Sequence, residues 1–143
     1  MCRLRHPQGP GVEGTDRNRH FGYAAGLGPT DVDHVNAHGT STPLNDVTER
    51  RMLHRVLGAR PLVTSTKGVT GHTLAAAGAI EAGYTALAIE HGSVPPTANL
   101  DRLDPELDID VVGGAPRPAR IEVAVSTSLG FGGHNAALVL TAA

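Results

Sequence analysis

Three short stretches of this 143-residue chain gather the side chains best suited to chemistry, and each begins where an apolar run ends. The first is Val35-Asn36-Ala37-His38-Gly39-Thr40-Ser41-Thr42-Pro43. The second is Ser65-Thr66-Lys67-Gly68-Val69-Thr70-Gly71-His72, and the third Ser128-Leu129-Gly130-Phe131-Gly132-Gly133-His134-Asn135. If the apolar runs are strands, all three lie beyond strand carboxyl ends, where open α/β sheets bind ligands. Glycines beside His38, His72 and Phe131 would let a substrate approach the backbone closely. His72 falls at the start of a predicted helix, where the positive end of the dipole favours neutral imidazole over imidazolium. Lys67, five residues earlier, adds positive charge and pushes the same way. A neutral imidazole can donate a hydrogen bond to a developing oxyanion, and His38 is the matching donor from another strand. Taken alone, each histidine reads more simply as a cap on a loop backbone. Gly130-Phe131-Gly132-Gly133 alone reads as a tight hairpin turn. No Gly-Lys-Ser/Thr follows it, and a strand rather than a helix comes next, against both a phosphate loop and a dinucleotide fingerprint.

The elements that must position these residues alternate along the chain. Residues 24–27 look like the end of a helix stopped by Gly26. Residues 32–37 and 62–66 read as strands between turn residues. Asp46 followed by Glu49 three positions on is a capping-box-like helix start, and Val47, Met52, Leu53, Val56 and Leu57 form its apolar stripe up to Gly58. Residues 71–90 read as a long helix so rich in alanine and glycine that it is expected to be central and buried. Residues 108–112, 122–126 and 136–140 are further strands. Strand–helix–strand–helix followed by strands is an α/β order with a parallel part and an antiparallel edge.

Composition narrows the classes. The length suits one domain or part of one. The chain has 12 Lys and Arg against 14 Asp and Glu, a formal net charge of −2, and so no basic field for nucleic acid. No apolar run reaches the ~18 residues of a membrane span, and the start does not resemble a signal peptide. The single cysteine, Cys2, cannot form an internal disulfide, and the cytoplasm is the expected compartment. Aromatic residues are only 3%, so the core must be Ala, Val, Leu and Ile. Eight histidines invite a metal-binding reading. His34 and His38 are four apart but on a strand and turn, and His54, His91 and His134 lack neighbours at ligand spacing, so no metal is expected. Residues 1–23, with Arg3, Arg5, Arg17, Arg19, Pro7, Pro10 and four glycines, show neither period and read as an irregular arm.

Together, in order and spacing, the three stretches resemble the C-terminal half of the β-ketoacyl-[acyl-carrier-protein] synthases, condensing enzymes of fatty-acid and polyketide synthesis. Asn36 to Pro43 matches the first histidine motif, Lys67 to His72 the Lys-x-x-x-Gly-His motif, and Gly130 to Gly133 the terminal glycine-rich gate. Val94-Pro95-Pro96-Thr97-Ala98-Asn99-Leu100 resembles a family loop, and the likeness runs from about Ala24 to Leu140. It implies an α/β, thiolase-like fold of two similar halves, each a five-stranded mixed sheet with flanking helices, of which residues 24–143 are most of the second. It implies a decarboxylative Claisen condensation of malonyl-carrier with an acyl thioester. His38 and His72 then hold the malonyl thioester oxygen, Lys67 orders the site, and Thr40 and Thr42 hydrogen-bond the phosphopantetheine arm. Phe131 is the gate, with Gly132 beside it, and Glu81 resembles a glutamate near the lysine. By its residue type alone, Glu81 is equally a surface-facing position.

The resemblance also implies no resident cofactor, since phosphopantetheine arrives with the substrate. The implied partners are acyl carrier protein, malonyl and acyl thioesters, a second copy in a homodimer, and a chain supplying the N-terminal half. The family nucleophile belongs to a Thr-Ala-Cys-Ser-like stretch of that half, which these residues do not contain. Cys2 has no such context, so the chain alone is expected not to condense. Leu129 stands where an aromatic is frequent and Thr127 where Asn is common. The alternatives are a non-catalytic partner resembling chain-length factors, or an inactive gene fragment. Retention of His38, Lys67 and His72 favours descent from a catalytic subunit.

Overall fold

The computed structural model describes residues 3–5 (backbone only), 26–104 and 108–143. Most of the irregular arm and of the helix end expected before Gly26 lies outside them. Strands β1 (Arg3–Arg5), β2 (His34–Asn36), β3 (Leu62–Thr64), β5 (Asp110–Val111), β7 (Val123–Leu129) and β8 (Asn135–Thr141) form one sheet in the order β1-β8-β7-β2-β3-β5. β2 pairs in parallel with both β3 and β7, and β3 in parallel with β5. β8 returns antiparallel along β7, and β1 antiparallel along β8. The parallel part with an antiparallel edge is therefore as the order of elements predicted, with β1 as an added sixth strand. β4 (Ser93–Val94) and β6 (Arg117–Pro118) make a small antiparallel pair that the sequence pattern did not reveal.

Among the described residues the α-helices are α1 (Pro43–Leu57), the single turn α2 (Lys67–Thr70) and α3 (Ala77–His91), and α1 and α3 pack on this sheet. Adjacent residues of β7 point to opposite faces, as the strand period demands. Val123 joins a core cluster with Val35, Val63, Val139 and Leu53 of α1. Ala124 joins a second with Val94, Val112, Ile121 and Ala88 of α3. The sheet is thus covered on both faces, which is why its strands read as continuous apolar runs.

Two helix starts differ from expectation. α1 begins at Pro43, three residues before the apparent capping box: the Thr42 hydroxyl accepts from the Asn45 N–H at 3.3 Å, and Pro43 suits the first helical position. Glu49 is therefore a mid-helix residue. The long helix expected from Gly71 is broken. α2 closes at Gly71 (φ +64°), a 3-10 turn spans Leu74–Ala76, and α3 follows. His72 thus lies in a break between helical segments, not at the start of the long helix, and the dipole argument for it loses its element. Nor is α3 central within this chain. Ala77, Glu81, Thr85 and Ala88 face inward, while Leu74, Ala79, Gly83 and Leu87 are exposed.

Candidate functional site

The carboxyl ends of β2, β3 and β7 are tied together by buried polar side chains before any reactive group is placed. Asn36 closes β2. Its amide nitrogen donates to the Glu81 carbonyl oxygen at 3.1 Å and reaches Thr66 Oγ1 at 3.2 Å, and its Oδ1 accepts from the Thr66 N–H at 3.3 Å. One side chain therefore holds the β2 end, the turn after β3 and helix α3. Glu49 does the same from the other face. Its Oε1 accepts from the His38 N–H at 2.7 Å and the Thr127 hydroxyl at 2.9 Å. Its Oε2 accepts from the Gly39 N–H at 2.8 Å and the Asn45 amide at 3.1 Å. Ser65 completes the clamp by donating its hydroxyl to the Gly39 carbonyl at 3.0 Å. Gly39 is required here: its φ is +42°, and a Cβ would stand 2.5 Å from Ser65 Cβ and Oγ.

On this frame His38 and His72 meet. Their ring centroids are 5.2 Å apart with the planes at 84°, an edge-to-face pair from loops that follow two different strands. His72 Nδ1 accepts from the Leu74 N–H at 3.1 Å, which leaves the proton on Nε2 as a donor. His38 Nδ1 is buried with no hydrogen-bond partner among the described residues. Burial is the main force pushing the His38 pKa below its ordinary value. The positive charge of Lys67 and the neighbouring His72 push the same way, and the Glu49 carboxylate opposes them. His38 is thus a neutral imidazole at neutral pH, able to donate one hydrogen bond. Lys67 forms a buried ion pair with Glu81, which is 1% exposed, so the surface-facing reading of Glu81 is overturned. Each charge could leave water only with the other in place.

The remaining predicted residues are less closely joined. Thr40 Oγ1 and Thr42 Oγ1 stand 3.3 Å apart on the loop after His38, and Thr42 also caps α1. Gly130-Phe131-Gly132-Gly133 is the tight turn between β7 and β8, with the Gly130 N–H donating to the His134 carbonyl at 2.9 Å and Gly132 at φ +71°. The Phe131 ring is fully exposed (102%), so the structure does not pack it against the histidine pair. Sequence reasoning missed Glu49, and it named Asn36 and Thr127 without a role. Glu49 had a signal: with Thr42 as cap, it lies one turn before Leu53 on the buried stripe of α1. Among the described residues, no three His, Cys, Asp or Glu side chains are grouped to hold a metal ion.

A buried lysine–glutamate pair thus lies beside two edge-to-face imidazoles, at the carboxyl ends of parallel strands closed by an antiparallel hairpin, on an α/β fold. Residues 8–101 match the family described as beta-ketoacyl synthase, C-terminal domain, and the chain belongs to that family. A 3-oxoacyl-[acyl-carrier-protein] synthase 2 of Mycobacterium tuberculosis is 50% identical over 115 residues, 80% of this chain and 28% of that protein. The ishigamide ketosynthase/chain length factor superposes with a TM-score of 0.87 at 36% identity, covering 91% of this chain and 32% of that one. A type II polyketide ketosynthase, solved in complex with its acyl carrier protein and bound to a hexaketide, gives 0.86 at 34%, over 90% and 32%. The fold is that of the thiolase-like ketosynthases. This chain spans about a third or less of the length of these relatives.

Proposed function

We propose that this chain carries the malonyl-activating part of a 3-oxoacyl-[acyl-carrier-protein] synthase working in fatty-acid or polyketide synthesis. The edge-to-face approach of His38 and His72 supports this most directly. Two neutral imidazole N–H groups aimed at one thioester oxygen stabilise the enolate formed when the malonyl C–C bond breaks and carbon dioxide leaves. The enolate carbon then attacks the acyl thioester, whose thiolate departs. The acyl-bearing cysteine comes from a chain segment outside the family stretch matched here. Burial does most to hold the His38 pKa down, and Lys67, paired with Glu81, adds positive charge nearby that pushes the same way.

Phosphopantetheine enters as part of the carrier-bound substrate, with the hydroxyls of Thr40 and Thr42 along its path and no resident cofactor. Acyl carrier protein is the partner, a homodimer the assembly and the cytoplasm the compartment. Among the described residues no helix is long and apolar enough to cross a membrane. The Phe131 turn, whose ring is exposed, acts as the gate. A non-catalytic, chain-length-factor-like role is disfavoured by the same residues: a subunit without chemistry has no use for a buried lysine beside two facing histidines.

The test is carbon dioxide release from malonyl-carrier by the protein together with its cysteine-bearing part. His38→Ala and His72→Ala are each expected to slow release about 100- to 1000-fold, the usual loss for one oxyanion donor. Unchanged release in both variants would overturn the assignment.

A further inference from the structure

Beneath α1, on the sheet face away from α3, lies a half-open cavity of about 140 Å³ that the condensing chemistry does not use. Its apolar walls include Ala37, Leu53, Val63, Leu100, Ile109 and Val111. Of the hydroxyl side chains that also line it, those of Thr64, Ser65 and Thr97 are already bonded to the protein. Thr64 Oγ1 and Thr97 Oγ1 stand 3.3 Å apart, Thr97 Oγ1 accepts from the Ser65 N–H at 3.1 Å, and the Ser65 hydroxyl donates to Gly39. A buried water needs two to four free polar partners, and the Thr64, Ser65 and Thr97 hydroxyls already have theirs within the protein, so the part of the space they border suits apolar matter better than water. The volume is close to that of a cavity of roughly 150 Å³ known to take up benzene. Charge narrows the ligand further. Asp46 and Glu49 line the cavity against one guanidinium, Arg50, itself held by Asp108 at 2.7 Å, which disfavours a carboxylate.

We propose that this cavity binds a small neutral apolar molecule of about the size of benzene, and that its occupancy is transmitted to the His38 loop. The transmission follows from the shared wall. Gly39, Ser65 and Glu49 line the cavity and are also the groups that fix the backbone of His38 and Gly39. The Glu49 carboxylate and the Ser65 hydroxyl are bonded directly to the backbone of His38 and Gly39, so a displacement of either moves the loop. This goes beyond the condensing assignment and does not depend on it.

The experiment titrates benzene into the full chain labelled at its methyl groups and at histidine Cε1, followed by NMR. Saturable shifts are expected at the methyls of Leu53, Val63 and Val111 and, with the same midpoint, at the His38 ring. Leu103→Trp, which places an indole into the cavity, is expected to weaken binding at least tenfold. Ala37→Val, a smaller filling, is expected to weaken it in the same sense and serves if the tryptophan variant fails to fold. Shifts that rise without saturation would overturn the proposal, as would saturable shifts confined to Leu74 and Leu87 on the exposed face. So would methyls that saturate while His38 stays still.

Discussion

The Glu49 carboxylate accepts four hydrogen bonds from three separate segments while remaining 3% exposed. Two of the donors are the consecutive N–H groups of His38 and Gly39, so this one side chain sets where the His38 ring begins. A buried donor left without its acceptor costs about 1–3 kcal/mol. Glu49→Ala strips the Gly39 N–H and leaves the His38 N–H only the Thr127 hydroxyl, at 3.0 Å. It should destabilise the chain by about 2–4 kcal/mol, read as a lower urea midpoint. Glu49→Gln keeps the shape but removes the negative charge that opposes the fall of the His38 pKa. His38 should then titrate lower than in the parent, a shift followed by NMR. An unchanged His38 titration would show that the carboxylate acts through geometry alone.

Histidine burial also makes a pH prediction with a definite sign. His34, on the buried strand β2, donates from Nδ1 to the Leu62 carbonyl at 2.9 Å. Both His34 and His38 are held below the ordinary value of 6.5, in each case chiefly by burial. Above that value the folded and unfolded chains are both neutral at these rings, and the two groups add nothing to the pH dependence. Below it the unfolded chain takes up protons that the folded chain refuses, so stability falls as pH falls. The urea midpoint should be lower at pH 5.5 than at pH 7.5. His34→Asn, whose amide can still donate to Leu62, should flatten the dependence. A midpoint that rises on acidification would reverse the argument.

At the scale of elements, the turn after β3 and the loop after β4 are locked backbone to backbone. A Cβ on Gly68 of α2 would lie 2.4 Å from the Ala98 carbonyl oxygen and 2.9 Å from its nitrogen, and the Asn99 amide donates to the Gly68 carbonyl at 2.9 Å. Backbone cannot swing aside as a long side chain can. Gly68→Ala should therefore cost about 1–3 kcal/mol and displace Lys67, its neighbour, from Glu81. A thermal scan measures the first effect and the Lys67 side-chain resonances the second. The parent melting curve in the variant would contradict the close approach.

These same elements show what could be read from residues alone. Strands β2, β3, β5, β7 and β8 and the parallel part with its antiparallel edge were legible, because strands buried on both faces are continuous apolar runs, while β1, β4 and β6 were not. The pairing of His38 with His72 was legible because each follows such a run. The start of α1 was not. Asp46 and Glu49 mimic a capping box, and that pattern concealed the Thr42–Pro43 start and with it the inward turn of Glu49. The partner that explains Glu49, Thr127, is 78 residues away and has no local signature. The break before α3 was hidden for a similar reason. Ala75, Ala76, Ala77 and Ala79 have high helix propensity, yet the backbone at Leu74 adopts φ +54°, held by the Leu74 N–H bond to His72.

For the molecule as a whole, α3 presents two unlike faces. Between His72 and Glu90 the only charged residue is Glu81, and it points inward to Lys67. The 3-10 turn before α3 exposes Leu74 (78% exposed), Ala75 and Ala76, and the helix's own outward face carries Ala79, Gly83 and Leu87 (48% exposed), with no charge among them. Val69 of α2 and Leu44 of α1 are exposed as well. Exposed apolar residues scattered singly are ordinary, but a continuous strip along a helix promotes association. This chain on its own should therefore self-associate as its concentration rises, seen as a growing mean mass in sedimentation. Leu74→Glu combined with Leu87→Glu should shift the distribution toward smaller species without altering the circular dichroism, since neither side chain belongs to a buried cluster. A parent chain that stays a single monomeric species with a sharp cooperative melt would show that the strip is too small to drive assembly.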